Sequence, residues 1–404
     1  MVAQHQTAAQ LTGMQVKISC KINYINRKEQ SASSLLQSRA PRRSVLLQQF
    51  GNKIHIYVEM VDFIELNNDQ RREKVNSDQR FLALEQARQK ANSFRGSLVW
   101  HTVSGVDHLV RSYYTSAGVR RQKVEGHRSP ETEKKKADWD AARTLAQETL
   151  AARQEQLERQ AAVNRALRLG RVPLLTARII RALDNAGLLG AGIRIAGTNA
   201  IYAYEAAAGV FVDPGITTTE DIDLLMDARR TLRVLTSDQV EDGTLINLLR
   251  KVDRSFERSQ ASFRAINRDG FLVDLIKPVA NPAWRKDQDV IASDDGELVA
   301  AGIEGLAWLE NAPPFEAVAI DEKGWPLRMI APDPRAFAAH KLWVSKRVDR
   351  EPVKRHRDLA QAKAVAQLTA SHFDHLPYEA NAIRSLPKAV FEDAKPLFVL
   401  EHGA

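Results

Sequence analysis

Apolar residues that alternate or recur at helical spacing predict helices and strands along most of the chain after residue 60. A first helix is predicted over 70–93. Two alternating stretches, SLVWHTV and HLVRSYYT, then predict a small β-hairpin around Ser104-Gly105. The Ser129-Pro130 pair starts a polar helix that runs to about Leu167. Its apolar stripe passes through Leu145, Leu150, Leu157 and Val163. This helix either connects the hairpin unit to the residues that follow or forms a homodimer seam.

The second half of the chain alternates short apolar strands with amphipathic helices. Strands are predicted over 193–196, 219–227, 261–267, 271–277, 315–320 and 327–330, and helices over 174–188, 199–208, 244–256 and 333–368, the last interrupted at Pro352. Asp269-Gly270 is a strong turn signal that joins two of these strands into a hairpin. Together the elements predict an α+β (α/β-like) fold in which helices flank a mixed sheet.

Composition adds few constraints. A chain of 404 residues with 44% hydrophobic content is long enough for two domains and a sizeable core. The net charge is +8, but residues 1–60 hold eight Lys/Arg against two Glu, so the rest of the chain is nearly balanced. Basicity is therefore weak evidence that the later residues bind nucleic acid. The single cysteine, Cys20, excludes a disulfide within the chain and a cysteine zinc cluster.

A glycine turn between a strand and a helix is the first candidate for a binding site. The apolar strand at 193–196 stops at Gly197-Thr198, and a helical pattern follows at once. A glycine lets the backbone approach a ligand closely, and the amides that open a helix favour phosphate oxygens. The Thr198 hydroxyl would add one more donor. Alternatively, Thr198 simply caps the helix.

Two acidic residues lie on one face of the next predicted strand. In TEDIDLLMD, Asp221 and Asp223 alternate with apolar residues, and a period of two puts both carboxylates on the same side. Two like charges side by side are costly unless a cation lies between them, which is how proteins hold Mg²⁺ together with substrate phosphates. The alternative is an exposed edge strand with a solvated acidic face.

A third acid, Asp274, is embedded in the apolar strand FLVDLIK. A buried Asp is rare unless it is paired or binds a metal, and Asp274 alone could instead cap a loop or pair with a nearby arginine. Three carboxylates from two strands beside a glycine turn form the acid set that two-metal phosphoryl chemistry needs. We therefore predict a two-ion Mg²⁺ site formed by Asp221, Asp223 and Asp274.

The order of these motifs resembles the nucleotidyltransferase fold of the DNA polymerase β superfamily. Within it, the chain resembles a bacterial group of nucleotidyltransferase-fold proteins that is distantly related to the abortive-infection toxin nucleotidyltransferases. The resemblance covers about Pro173–Leu368. It implies Mg²⁺-dependent transfer of a nucleoside monophosphate from a nucleoside triphosphate to an acceptor hydroxyl, with release of pyrophosphate. The acceptor stays open among a tRNA end, another RNA, a protein hydroxyl and a small molecule.

The resemblance also implies which cations hold the triphosphate. The toxin nucleotidyltransferases use a Lys followed by an Arg-Asp pair, and Lys341 with Arg357-Asp358 is similar in type and order. Lys341 and Arg357 are thus the expected nucleotide-binding cations, beside Gly197 and Thr198. Most of the other cations nearby are expected to form a solvated face. Two rival functions remain: a metal-dependent nuclease that uses the same carboxylates, and a catalytically silent member of the fold that binds nucleic acid.

The hairpin unit carries the residues on which nucleic acid binding would depend. They are Trp100, Arg111, Tyr113, Tyr114, Arg120, Arg121 and Lys123. Such residues can grip a phosphate backbone and stack bases. We favour the alternative that the aromatic residues face the unit's own core and the arginines solvate its rim, because alternation does not reveal which face is exposed.

The domain organisation follows from these patterns. Residues 1–59 are predicted to form a poorly specified basic extension, with Met60 as a hypothetical alternative start. Residues 60–170 would hold the first helix, the hairpin unit and the connecting helix, and residues 171–404 the catalytic domain. No run of eighteen apolar residues predicts a membrane span, and a signal-peptide pattern is missing from the N-terminus, so we expect a cytoplasmic protein.

Overall fold

The computed structural model describes residues 63–114, 119–227, 243–282, 289–292 and 296–400. The chain divides into two compact units, Met1–Tyr57 and Val58–Ala404, and every described residue belongs to the second. The predicted basic extension and the hypothetical start at Met60 lie outside the described residues. The boundary predicted at residue 170 stays a prediction. Within the described ranges, no helix has both the length and the apolarity needed to cross a membrane.

Two long helices lie in the first part of the described chain. Strand β1 (Ile64–Glu65) precedes helix α1 (Asn68–Ser93), and helix α2 (Pro130–Ala166) packs along α1. Ser129 caps α2 as predicted, because its side chain accepts the Thr132 N–H while Thr132 Oγ1 accepts the Ser129 N–H. The predicted apolar stripe on α2 is largely wrong: Leu157 is buried, but Leu145 is 64% exposed. Val163, a third member of the stripe, is 40% exposed.

A three-stranded antiparallel sheet separates the two helices in sequence. Its strands are β2 (Ser97–Val103), β3 (Val106–Tyr114) and β4 (Arg120–His127), in the order β2-β3-β4. The predicted hairpin around Ser104-Gly105 is confirmed by the pairing of β2 with β3. The hairpin unit also has a third strand that the sequence did not predict. The sequence of β4, RRQKVEGH, is mostly polar and lacks a regular alternation, so only its pairing with β3 makes it a strand.

The predicted mixed sheet is confirmed. It contains β5 (Ile193–Ala196), β7 (Asp221–Met226), β8 (Glu257–Arg258), β9 (Arg264–Ile266), β10 (Leu272–Pro278) and β11 (Ala301–Ile303). Its order is β5-β7-β10-β9-β8, with β11 also paired to β10. Strand β10 runs parallel to β7 and β11 and antiparallel to β9. A separate hairpin, β12 (Pro314–Ile320) and β13 (Pro326–Pro332), also matches its prediction.

Helices flank these strands, as an α+β fold requires. They are α3 (Leu174–Asn185), α4 (Ile201–Ala208), α5 (Pro214–Thr217), α6 (Leu245–Val252), α7 (Leu306–Asn311), α8 (Pro334–Ser345), α9 (Pro352–His372) and α10 (Lys388–Ala394), with 3-10 turns at Thr198–Ala200 and Lys395–Phe398. The core between sheet and helices includes the fully buried Tyr204, Phe256 and Phe337. Residues 206–218 contain α5 and strand β6 (Val210–Phe211), which pairs with β1.

Candidate active site

The parallel pairing of β7 with β10 brings two of the predicted acids together. Asp223 of β7 lies directly opposite Asp274 of β10, and Ala196 of β5 lies opposite Asp223 on its other side. Neighbouring strands are about 4.8 Å apart, so the three positions form one row across the sheet. Asp221, two residues before Asp223, lies on the same face of β7. The sheet thus brings the acids beside the glycine turn that ends β5.

Gly197 is fitted closely against Asp223. Its backbone has a φ of 58° and a ψ of −152°, a conformation that side chains make costly. A Cβ placed at this position would lie 1.9 Å from Asp223 Oδ2. Glycine is therefore required here, because the Asp223 carboxylate occupies the space that a side chain would need. This role is additional to turning the chain.

Thr198 has a structural role in this arrangement. It is buried, and its Oγ1 accepts a hydrogen bond of 3.1 Å from Gln361 Nε2 of α9. The next side chain, Asn199, donates from Nδ2 to the backbone oxygen of Asp221 at 2.7 Å. The helical turn that starts at Thr198 has no side-chain cap, so the N-cap interpretation of Thr198 is wrong. Thr198 and Asn199 instead fasten the turn to α9 and to β7.

The electrostatic environment of Asp223 is unusual. Burial raises the pKa of Asp223 to about 6, with the charge of Asp221 and then that of Asp274 acting in the same direction and Lys341 and Arg350 opposing them. Among the described residues, none donates a hydrogen bond to the Asp223 carboxylate or forms an ion pair with it. Asp221 differs, because its Oδ1 accepts a hydrogen bond from the Thr219 hydroxyl.

Asp274 is paired with an arginine, one of the alternatives that the sequence left open. Arg264 of β9 lies opposite Asp274 and donates from Nε to Oδ1 at 2.7 Å and from Nη2 to Oδ2 at 2.6 Å. Both oxygens of this buried carboxylate are therefore engaged. The hydrogen bonds to Asp274 raise the pKa of Arg264. The Asp-Gly turn that folds β9 onto β10 could have pointed to Arg264 as the partner.

Two cations near Asp223 are held by the same buried carboxylate, that of Asp358. Lys341 Nζ of α8 lies 2.8 Å from Asp358 Oδ1, and Arg350 Nε lies 2.8 Å from Asp358 Oδ2. The Asp358 side chain is 0% exposed. Burial alone would raise the pKa of Asp358, but Lys341 and Arg350 together lower it. The anchor is therefore ionised and holds both cations in fixed positions.

A cavity of about 340 Å³ opens between these groups. Gly197, Asp223, Lys341 and Arg350 line its polar side. Its other walls are mainly apolar and come from Ile276, Ile303, Leu306, Leu309, Phe337, Trp343 and Val344, with His340, Glu304, Arg347 and Asp349 among them. Burial and then the charge of Lys341 lower the pKa of His340 to about 3, so this ring is neutral at physiological pH. The polar side therefore combines one carboxylate with two cations.

The structure places the predicted site residues in two groups. Gly197, Asp223 and Lys341 line the cavity, whereas Thr198, Asp221, Asp274 and Arg357 do not. Arg357 is partly buried, and its Nε has no hydrogen-bond partner among the described residues. Two arginines line the cavity, Arg347 and Arg350, and the sequence analysis missed Arg350. Its signal in the sequence was its position just before the Pro352 helix start.

The oxygen ligands suit Mg²⁺ only in part. In the described part of the chain, no three or more His, Cys, Asp or Glu side chains are already arranged to hold a metal ion. Asp221 and Asp223 fit the preference of Mg²⁺ for one or two carboxylates supplemented by substrate phosphates. The raised pKa and free oxygens of Asp223 are what a cation would relieve. Asp274 fits less well, because Arg264 already binds both of its oxygens.

Comparison with known proteins agrees with this geometry. Residues 175–386 match the model of a family described as Nucleotidyltransferase. The match spans more than half of the chain, so the protein belongs to this nucleotidyltransferase family. Membership implies a transferase whose substrate is a nucleotide. No curated protein and no solved structure matches the chain.

Proposed function

We propose that the protein transfers a nucleoside monophosphate from a nucleoside triphosphate to an acceptor hydroxyl, with Mg²⁺ as cofactor and pyrophosphate as the leaving group. One observation carries the proposal. Asp223, which has no hydrogen-bonding partner among the described residues, shares the wall of a nucleotide-sized cavity with Lys341 and Arg350. A carboxylate and two fixed cations facing one cavity suit a metal-bound triphosphate.

Asp221 and Asp223 would hold the Mg²⁺. When bound, the ion neutralises charge on the phosphates and polarises the reacting phosphoryl group. Asp223 must be ionised to bind it, and its raised pKa means that binding weakens below about pH 6. Gly197 leaves room beside β5 for the Asp223 carboxylate, and both residues line the cavity.

Lys341 and Arg350 would bind phosphate oxygens. Both are held by Asp358, so they lose little conformational freedom when a phosphate replaces part of their hydration. In the transfer step, the acceptor oxygen forms a bond to the α-phosphorus, the bond to the pyrophosphate oxygen breaks, and the acceptor proton passes to a carboxylate. Positioning and charge neutralisation would provide most of the rate.

Asp274 would take the acceptor proton and bind a second metal ion only after the Arg264 side chain turns away. As long as both of its oxygens accept from Arg264, Asp274 cannot take a proton or a metal without losing those bonds. The Gly197 turn beside Asp223 and the pair of Lys341 with Asp358 support the proposed resemblance to the DNA polymerase β superfamily and its toxin members. The acceptor stays among RNA, a protein hydroxyl and a small molecule.

The Arg264–Asp274 pair favours one second candidate, a catalytically silent member of the fold. In that case the cavity would bind no triphosphate with Mg²⁺. A nuclease using the same carboxylates would instead cleave nucleic acid with Mg²⁺ and no triphosphate.

Calorimetric titration of the full chain with ATP, CTP, GTP and UTP in Mg²⁺ tests the proposal. We expect at least one triphosphate to bind only when Mg²⁺ is present. Asp223→Asn should abolish that binding, whereas the matched control Asp269→Asn, in the exposed β9–β10 turn, should retain it. Absence of binding to folded wild-type protein would reject the transferase proposal in favour of the silent module.

A further inference from the structure

The three-stranded sheet β2-β3-β4 has an inner and an outer face. The inner face packs against α2: the Arg111 guanidinium stacks on Trp139 at 4.8 Å, and a Cβ at Gly126 would meet Thr132 at 3.2 Å. On the outer face, Val99 of β2 is 38% exposed and Val124 of β4 is 59% exposed, whereas Val110 of β3 between them is 9% exposed. The outer face is therefore accessible to a partner, whereas the inner face packs against α2.

Strand register arranges the outer face in rows of like side chains. His101 of β2 lies opposite His108 of β3, which lies opposite His127 of β4. The next row joins Val99, Val110 and Val124 in the same way. Residues directly opposite in neighbouring strands point to the same face, so each row crosses the whole sheet. The sequence shows the three histidines far apart, and only the register brings them into line.

The histidine row presents aromatic surfaces. The rings of His108 and His127 have centroids 4.5 Å apart and planes inclined at 54°. No hydrogen bond joins the ring nitrogens of His101, His108 or His127 to another described residue. Three imidazoles in a row would suit a metal ion, but no group of three ligating side chains in the described ranges is placed to hold one. The rings are therefore available as stacking surfaces.

Cations and hydroxyls continue the outer face beyond the valine row. Arg120 of β4 lies opposite Tyr114 of β3 and donates from Nε to Ser112 Oγ at 2.8 Å. The Arg95 guanidinium lies 4.8 Å from the Tyr114 ring centroid. This end of the face thus adds a further aromatic ring and two positive charges.

The outer face lacks acidic side chains among the described residues of the sheet. Asp107 belongs to the inner face, where it accepts from Thr102 and pairs with Arg128. Glu125 pairs with Lys135 of α2 and so also faces inward. The stretch 95–128 contains six Lys/Arg and two acids. Four of these cations lie on the inner side, namely Arg111, Arg121, Lys123 and Arg128, and both acids are also directed away from the outer face. Arg95 and Arg120 therefore give the outer face its positive charge, which is complementary to an anionic partner.

We propose that this outer face binds single-stranded nucleic acid. Its histidine and tyrosine rings would stack on unpaired bases, Val99 and Val124 would contact sugars and base edges, and Arg95 and Arg120 would bind phosphates. The face of three strands can accommodate splayed bases, whereas a duplex hides its bases from such a surface. Two of the residues that the sequence suggested, Tyr114 and Arg120, lie on this face. Trp100 and Arg111 lie inward instead, and the Arg128 guanidinium lies 5.2 Å from the Trp100 ring centroid.

Fluorescence anisotropy with the full chain tests this site without a triphosphate or Mg²⁺, so its outcome is independent of the proposed catalysis. The probes are a labelled single-stranded RNA of about twelve nucleotides, the same sequence as DNA, and the matching duplex. We expect both single strands to bind more tightly than the duplex. The double variant His101→Ser/His127→Ser should weaken binding about tenfold, since stacking on two exposed rings is lost.

Arg120→Gln separates charge from stacking. It should weaken binding of all sequences alike and lower the slope of log affinity against log salt by about 1. The matched control Arg72→Gln, an equally exposed arginine on α1, should change neither quantity. Unchanged far-UV circular dichroism and melting temperature show that each variant is folded. Ultraviolet cross-linking to wild-type protein should label peptides within 97–127.

Three outcomes would overturn the proposal. The first is absence of single-strand binding at low ionic strength. The second is wild-type affinity in both outer-face variants, which would place the contacts elsewhere, such as the basic residues 1–60. The third is equal binding of duplex and single strand.

Discussion

Gly197 and Asp223 are in such close contact that a single methyl group cannot fit between them, since a Cβ at 197 would lie 1.9 Å from Asp223 Oδ2. Gly197→Ala must therefore displace the carboxylate, and we predict loss of Mg²⁺-dependent triphosphate binding. Gly270→Ala is a matched control, because Gly270 also has a positive φ, of 85°, but has open space around the Cβ position. The control should cost about 1–2 kcal/mol of backbone strain and leave binding intact. Equal binding losses in the two variants, measured by calorimetry, would contradict the close-contact argument.

The pKa of Asp223 gives a pH-dependent prediction. Its folded-state pKa of about 6 lies above the ordinary Asp value of 3.8, so the folded protein holds this proton more tightly than the unfolded chain. Ionisation therefore costs stability as the pH rises from about 4 to 6. Asp223→Asn removes that cost, and we expect the variant without Mg²⁺ to gain about 1–2 kcal/mol over wild type at pH 8, allowing for the partial exposure of the group. The gain should vanish near pH 4. Thermal unfolding at both pH values measures it, and a gain that is independent of pH would argue against the raised pKa.

Arg350 and Arg357 provide a comparison between an arginine that lines the cavity and one that does not. Loss of one charge-assisted bond to a phosphate oxygen costs about 1.5–3 kcal/mol. Arg350→Gln should therefore weaken triphosphate binding by about ten- to one-hundredfold. Arg357→Gln should have a smaller effect, and calorimetric titration of both variants distinguishes them. A larger loss for Arg357→Gln would restore the role that the sequence resemblance implied for Arg357.

Arg264 neutralises Asp274 next to Asp223, so its removal should alter the response to metal. In Arg264→Gln, Asp274 loses the cation that binds both of its oxygens, and Asp221 and Asp223 lose a nearby positive charge. We expect a lower melting temperature without Mg²⁺, because a buried charge is left without its partner. The increase in melting temperature on adding Mg²⁺ should be larger than in wild type, since the ion then has Asp274 as an additional ligand. An unchanged Mg²⁺ response would mean that Asp274 is not a latent metal ligand.

Asp358 anchors both Lys341 and Arg350, and its substitution tests how much that buried anchor stabilises the fold. Asp358→Asn leaves two cations around a neutral buried group and should destabilise the fold by about 3–5 kcal/mol. Lys346 and Asp393 form an exposed pair, and Asp393→Asn is the matched control, expected to cost less than about 1 kcal/mol. Urea denaturation measures both effects. Comparable losses in the two variants would refute the anchoring role.

The sequence by itself determined the local parts of this protein. Alternation over six residues places Asp221 and Asp223 on one face of β7 whatever the strand's neighbours are, and Gly197 ends β5 for reasons contained in a few adjacent residues. Helices α1, α2, α8 and α9 have bounds close to those predicted from local patterns, and the α+β class follows from the order of elements.

Only the tertiary structure decided which of these parts meet. The pairing of Asp274 with Arg264, the joint hold of Asp358 on Lys341 and Arg350, and the row of histidines across β2, β3 and β4 all join residues from different elements. Strand order and register set these contacts, and they depend on the packing of the whole sheet. A local pattern can show that Asp274 needs a partner, but only the arrangement of the strands places Arg264 beside it.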